Sequence, residues 1–329
     1  MTLLILISTF IISFTITIIF RRIALQRKLL DIPNIRSSHT QPTPRGGGLA
    51  IVLSWYIGLI GLRYLELIEP NLFYALISGA ILAIVSFLDD LYDIKPHFRI
   101  LFQFVTVILG ICFIGGFRII YTNGYVLNYP FIFSCIAIIG VMWFINLYNF
   151  LDGIDGYAST EAIAVLLGMF IIVKNPIFLL LIFAVLGFLI WNWPKAKIFM
   201  GDTGSTQLGY VLIILGIYFN NSLKINFAGW LILTSLFWFD ATLTLFYRWR
   251  NKEKLSQAHR KHYYQRIVQY GYSHQKVVVI SIFINLVFVA MVLASEKVHI
   301  SYLITFPLCI LINIFIACLI DRRLAFKAV

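Results

Sequence analysis

The sequence predicts an all-α, polytopic integral membrane protein of about eleven transmembrane helices, with its N-terminus outside and its C-terminus cytoplasmic. Three observations carry that prediction. Of 329 residues, 60% are hydrophobic and only 12% charged, roughly half the charge content of a soluble domain. The apolar residues recur in runs of about 16–22, enough to cross roughly 30 Å of hydrocarbon as helix. Lysine and arginine collect in alternate connections between those runs. The chain, 1–329, reads as a single transmembrane domain without internal repeats.

The runs cover 2–20, 46–63, 71–88, 99–118, 128–148, 158–173, 177–192, 205–219, 227–247, 277–294 and 301–320. No charge precedes the first, and Arg21-Arg22 follows it instead of a small-residue cleavage site. It therefore reads as a retained helix, not a signal peptide. Around Asn175-Pro176 and Trp193-Pro194 the short runs read either as two helices or as one broken helix. Tyr121-Thr-Asn-Gly124 reads as a turn. With sides alternating after the first run, 21 of the 26 Lys and Arg residues fall on one side, which that excess marks as cytoplasmic. The other side has one per loop: Arg63, Arg118, Lys174, Lys224 and Lys297. The same bias accounts for the net charge of +12, so no nucleic-acid partner is expected. The four cysteines, Cys112, Cys135, Cys309 and Cys318, all lie inside apolar runs and read as small packing residues.

The unusual polar motifs then share the cytoplasmic side. Asp89-Asp90 with Asp93, Asp152 with Asp155, and Asp202 supply six of fourteen acidic residues, each cluster at the end of an apolar run. Carboxylates crowded into one space repel, and a hard divalent cation offsets that repulsion; Mg²⁺ or Mn²⁺ suits an all-oxygen set that includes phosphates. Asp152 and Asp155 share a face if their turn is helical. The plain alternative is a set of N-caps and interface turns.

Glycines accompany the carboxylates. Gly153 and Gly156 permit close backbone approach. Gly201-Asp-Thr-Gly204-Ser205 offers backbone N–H groups for a diphosphate at a helix start, although Ser205 could be only an N-cap. Arg45-Gly-Gly-Gly48 either wraps a phosphate or forms a hinge, in a loop stiffened by Pro33, Pro42 and Pro44. Asn146, Asn149 and Asn192 are candidates to orient water or a nucleobase. His259 and His262, among Arg260, Lys261 and Arg266, are expected to stay neutral near pH 7 and to donate to phosphate oxygens. His39 and His274 read as surface histidines. Asp240 and Glu161, inside apolar runs, read as snorkelling or hydrogen-bonded residues. The basic, aromatic loop 248–276 suits contact with membrane lipids.

At these residues the chain resembles the polyprenyl-phosphate N-acetylhexosamine-1-phosphate transferases, glycosyltransferase family 4, over roughly 30–275. The resemblance rests on Pro44-Arg-Gly-Gly-Gly48, Phe87-Leu-Asp-Asp90, Asn149-x-x-Asp152-Gly-x-Asp155-Gly156 and Gly201-Asp-Thr-Gly-Ser205. His259-Arg-Lys-His262-Tyr-Tyr-Gln-Arg266 departs from the family's usual H-x-H-H-R and is closer to the O-antigen branch than to the pentapeptide transferase. The resemblance implies transfer of a sugar 1-phosphate from a UDP-N-acetylhexosamine to undecaprenyl phosphate, releasing UMP, at the cytoplasmic face of a bacterial inner membrane. It implies Asp202 as the main Mg²⁺ ligand, with Asp89 and Asp90 as a catalytic pair beside the metal. Asp89 would deprotonate the lipid phosphate, and Asp152 and Asp155 would shape the nucleotide site. Arg45, Asn149, Gly204 and Ser205 would bind the nucleotide sugar, and His259 or His262 would steady phosphate. A homodimer is expected by the same analogy. Whether transfer is direct or passes through a phospho-aspartate stays open.

Two other readings compete. A CDP-alcohol phosphatidyltransferase is also rich in aspartate, but Asp152-Gly-Ile-Asp-Gly156 lacks its D-G-x-x-A-R run. A cation-coupled transporter would place its charges near mid-membrane with paired broken helices, whereas these cluster on one face.

Overall fold

The computed structural model describes residues 1–33, 38–92, 94–255, 257 and 259–326. Asp93, grouped above with Asp89 and Asp90, lies outside them. The architecture is all-α: α1 (Thr2–Gln26), α2 (Gly48–Tyr64), α3 (Pro70–Tyr92), α4 (Pro96–Phe113), α5 (Pro130–Asn149), α6 (Tyr157–Val173) and α7 (Pro176–Asn192). There follow α8 (Asp202–Asn221), α9 (Phe227–Leu233), α10 (Ser235–Arg250), α11 (Tyr263–Gln269), α12 (His274–Lys297) and α13 (Tyr302–Arg323).

Each predicted run contains helix, yet fewer than eleven helices are long and apolar enough to span a membrane. Six pass that test among the described residues: α1, α3, α4, α5, α12 and α13. The pair α9–α10 makes a seventh if it is one bent span. Helices α2, α6 and α7 are 17 residues each, about 25 Å of helix. The protein is thus a polytopic membrane protein with six or seven full-length apolar helices.

Helix α8 is the centre of the bundle, with seventeen of its twenty residues buried. It packs on α3, α5 and α2. At its start the backbones of α2 and α8 touch: a Cβ on Gly48 would lie 2.4 Å from Gly204 Cα. Apolar residues all around a helix suit such a buried position, while the outer helices expose theirs to lipid. Polar pairs inside the bundle are hydrogen-bonded: Asn285 on α12 donates to Glu161 on α6 (2.8 Å), and Ser13 donates to the Ala184 carbonyl (2.6 Å).

Asn175 caps α7 through the Ile177 N–H (3.0 Å), so α6 and α7 are the two helices counted from the sequence. Two local departures from the sequence expectation have clear causes. The expected span 227–247 bends by 75° around Thr234. There the Thr234 hydroxyl takes the Trp230 carbonyl (2.9 Å) and the Trp238 indole takes that of Leu231 (3.0 Å), satisfying carbonyls from the side and loosening the helical ladder. Finally, α4 stops at Phe113, and 119–122 and 125–128 form an antiparallel hairpin (β3, β4). Its turn is Asn123-Gly124 with φ of 49° and 78°, the pair that a two-residue hairpin prefers.

A shorter ladder, β1 (Leu30–Asp31) with β2 (Thr43–Pro44), closes the loop after α1. That loop is stitched to the segment before α8: Phe199 donates to Pro44, Gly47 to Phe199 and Gly48 to Met200, all at 2.8–2.9 Å. This places Arg45 beside the start of α8.

Candidate active site

The connections after α1, α5, α7 and α10, the end of α3 and the starts of α8 and α12 meet around one open cavity of about 680 Å³. Alternate connections of a helical bundle end on the same side, so this convergence is what brings the sequence motifs together.

Five aspartates line the cavity: Asp31, Asp90, Asp152, Asp155 and Asp202. Asp90, at the end of α3, caps α8: Oδ1 accepts the Asp202 N–H (3.1 Å), and Oδ2 accepts the Thr203 N–H (3.1 Å) and hydroxyl (2.7 Å). Gly201, with φ of +75°, turns the chain into the helix, a conformation that disfavours other residues. Its N–H donates to Asp152 Oδ2 (3.0 Å). Burial pushes the Asp152 carboxyl well above the usual carboxylate range; the Gly201 N–H opposes this, while Asp202, Asp90 and Asp155 push it further up. Asp155 Oδ2 accepts the Ala196 N–H (3.1 Å) and lies 3.2 Å from His274 Nδ1.

Asp89 does not line the cavity with the others. Its Oδ1 accepts the Ile94 N–H (2.8 Å), and its Oδ2 pairs with Arg99 Nη1 (2.7 Å). The other end of the same guanidinium, Nη2, pairs with Asp202 Oδ2 (2.7 Å).

Arg45, His39, His259, His274 and Gln265 line the same cavity. His259 Nδ1 accepts the Lys261 N–H (3.2 Å). Burial, with His262, Arg248 and Lys261 adding to it, pushes this imidazole down to about 3. A neutral ring with an accepting Nδ1 carries its proton on Nε2, so His259 is a donor near neutral pH. Its loop is held by the buried Arg248, which donates to Glu253 and to the carbonyls of Lys254, Leu255 and Gln257.

Other expected site residues make structural contacts, and of these Asn192 and Gly153 also line the cavity. His262 turns away from the cavity; it is the N-cap of α11 and its Nδ1 lies 3.3 Å from Asp240. Asp240 in turn accepts the Tyr263 N–H (3.0 Å), the buried hydrogen bond read for it from sequence. Ser205 and Asn149 bond to each other and link α8 to α5. Gly204 packs on Gly48 and Met200. Asn192 clamps Gly156 N–H and the Ile198 carbonyl, both at 3.0 Å. Asn146 donates to Gln103 (3.1 Å). Gly153 is needed for close approach: a Cβ there would lie 2.3 Å from the Tyr264 hydroxyl, which donates to the Phe150 carbonyl (2.6 Å).

Sequence reasoning missed Arg99 and set His39 and His274 on the surface. A signal existed for Arg99, because the short link between α3 and α4 keeps the first turn of α4 beside Asp89. For the two histidines only the tertiary fold supplies one.

No group of three or more His, Cys, Asp or Glu side chains is arranged as metal ligands among the described residues. The donor chemistry nevertheless fits a magnesium-like ion, which commonly uses one or two carboxylates and completes its shell with water and substrate phosphates. Asp202 and Asp152 flank Gly201, and a cation would offset both the burial and the neighbouring carboxylates that raise Asp152.

Residues 72–220 match the family description "Glycosyl transferase family 4". The chain is 30% identical over 316 residues to a probable undecaprenyl-phosphate N-acetylglucosaminyl 1-phosphate transferase of Bacillus subtilis, covering 91% of this chain and 87% of that protein. It is 29% identical over 212 residues to an undecaprenyl-phosphate alpha-N-acetylglucosaminyl 1-phosphate transferase of Thermotoga maritima, covering 64% and 63%. With a phospho-N-acetylmuramoyl-pentapeptide-transferase of Rickettsia bellii it shares 27% over 305 residues, covering 78% and 80%. Near-complete coverage by the Bacillus relative, together with the family match over residues 72–220, places this chain in glycosyl transferase family 4.

Proposed function

We propose that this protein is a phosphoglycosyl transferase that moves an N-acetylhexosamine 1-phosphate from a UDP-sugar to undecaprenyl phosphate, giving undecaprenyl-diphospho-sugar and UMP. The observation that carries this reading is one cavity lined by five aspartates together with Arg45 and a neutral, proton-donating His259. A nucleotide diphosphate needs both a cation and hydrogen-bond donors, and the lining offers residues for each.

A phosphate oxygen of the lipid attacks the β-phosphorus of the nucleotide sugar. The bond from β-phosphorus to the bridging oxygen breaks, and UMP leaves with the electron pair. Most of the work is alignment and charge stabilisation. Arg45 and His259 bind phosphate oxygens from one side. Asp202, with Asp152 beside it, would hold Mg²⁺ or Mn²⁺, which supplies positive charge for the diphosphate. Asp90, whose oxygens all serve α8, positions Asp202. Asp89, outside the cavity lining and paired with Arg99, holds that guanidinium beside Asp202, and Asp155 with His274 shapes the nucleotide end.

The finer expectations go with this reading: about eleven crossings, an N-terminus outside, a site facing the cytoplasm of a bacterial inner membrane, assembly as a homodimer, and a product that initiates an envelope polysaccharide such as O-antigen. Purified protein with undecaprenyl phosphate, Mg²⁺ and a panel of labelled UDP-GlcNAc, UDP-GalNAc and 6-deoxy N-acetyl donors tests the reaction. One donor should yield lipid-linked product and equimolar UMP, both lost with EDTA and in Asp202→Asn. Folded protein that neither binds nor turns over any donor would sink the proposal.

A further inference from the structure

Arg99 is the one cation among the described residues that bridges two of the candidate site's carboxylates, with separate nitrogens 2.7 Å from Asp89 and 2.7 Å from Asp202. It joins the end of α3 to the start of α8, and it sits on the carboxylate assigned above as the main cation ligand. Its burial distinguishes it from the chain's other paired arginines. Arg248 and Arg266 are 2% and 0% exposed and locked in place, whereas Arg99 is 31% exposed and Asp202 32%. A half-exposed ion pair is cheap to open, since water can take up both partners. A guanidinium stays charged at any working pH. It therefore repels a divalent ion approaching the same carboxylate.

We propose that Arg99 is a positioning residue that competes with the divalent cation for Asp202. In the cation-free protein it neutralises Asp202 and keeps it at the head of α8 against Asp89. A cation entering the site must displace or share that contact, so Arg99 weakens cation binding and couples it to the arrival of the diphosphate, whose negative charge offsets the second cation. The pairing with Asp89 gives the displaced guanidinium a place to remain, so opening the Asp202 contact does not require Arg99 to leave the site. This inference rests on the cation-dependent reading of the site.

The test is Mn²⁺ binding to the detergent-solubilised, metal-stripped full chain without substrate, followed by loss of the free-ion EPR signal. Arg99→Gln removes the charge and keeps an amide donor; it should bind Mn²⁺ about five- to thirtyfold more tightly than the unmodified protein. Arg99→Lys keeps the charge and should stay within about twofold. A residue that merely props up the site would give the opposite result, because its loss would disorder Asp202 and weaken binding. Equal or weaker Mn²⁺ affinity in Arg99→Gln overturns the proposal. Asp202→Asn separates the two failures. If it abolishes Mn²⁺ binding while Arg99→Gln brings no gain, only the role of Arg99 falls. If Asp202→Asn binds Mn²⁺ like the unmodified protein, the cation site itself is misassigned and the competition falls with it.

Discussion

Replacing Asp90 by asparagine tests whether this residue works through α8. Three donors converge on its carboxylate: the N–H groups of Asp202 and Thr203 and the Thr203 hydroxyl. Asparagine keeps one oxygen, so its NH₂ must face at least one of them. Hydrogen bonds to a charged acceptor are worth about 1.5–3 kcal/mol, and a buried donor left unmet costs about 1–3 kcal/mol. Removing one of four crowded carboxylates gives part of that back by relieving repulsion. The net expectation is a loss of about 1–3 kcal/mol, concentrated in the first turn of α8, with Asp202 displaced and transfer reduced by at least about tenfold. Thr203→Val removes only the hydroxyl donor and should cost about 1 kcal/mol. The measurement is apparent Tm in detergent together with kcat/KM for each single variant and the double variant. Because Asp90→Asn removes the charge from the acceptor of the hydrogen bond that Thr203→Val deletes, the double should fall short of the sum. Full additivity, or an Asp90→Asn protein with unchanged Tm, would refute the capping role and leave Asp90 as a direct participant in the chemistry.

Gly153→Ala puts a Cβ 2.3 Å from the Tyr264 hydroxyl, so α11 must shift; transfer should fall by at least about tenfold, and Tyr264→Phe in that background should restore part of it by vacating the space. His259, held at about 3 against an ordinary 6.5, should show no imidazole titration by NMR between about pH 5 and 8. Its folded pKa is depressed, so the unfolded chain takes up its proton first and stability should decline as pH falls from about 6.5 toward 3; His259→Gln should make that decline shallower, which thermal melts across this range would detect. Arg248→Lys cannot reproduce four donors to Glu253, Lys254, Leu255 and Gln257, so trypsin should cut at Lys252 and Lys254 about tenfold faster than in the unmodified protein.

The sequence by itself determined the membrane class and the meeting of the motifs. Asp90, the pair Asp152 and Asp155, and Asp202 lie in three separate connections, yet each sits where an apolar run ends, and alternation of helix direction sends such ends to one side. Arg45 and His259 joined them on the same reasoning. The tertiary structure decided which residue touches which. Asn149 and Ser205 face each other because α5 and α8 pack side by side. His262 is drawn to Asp240 because α10 bends at Thr234 and brings its carboxylate under α11. Arg99 reaches Asp202, and His274 reaches Asp155, through contacts between segments distant in sequence. Periodicity and charge bias report the solvent each residue meets, lipid or water. They carry no information on the rotation and tilt that set one helix face against another, and a few ångströms there separate a site residue from a structural one.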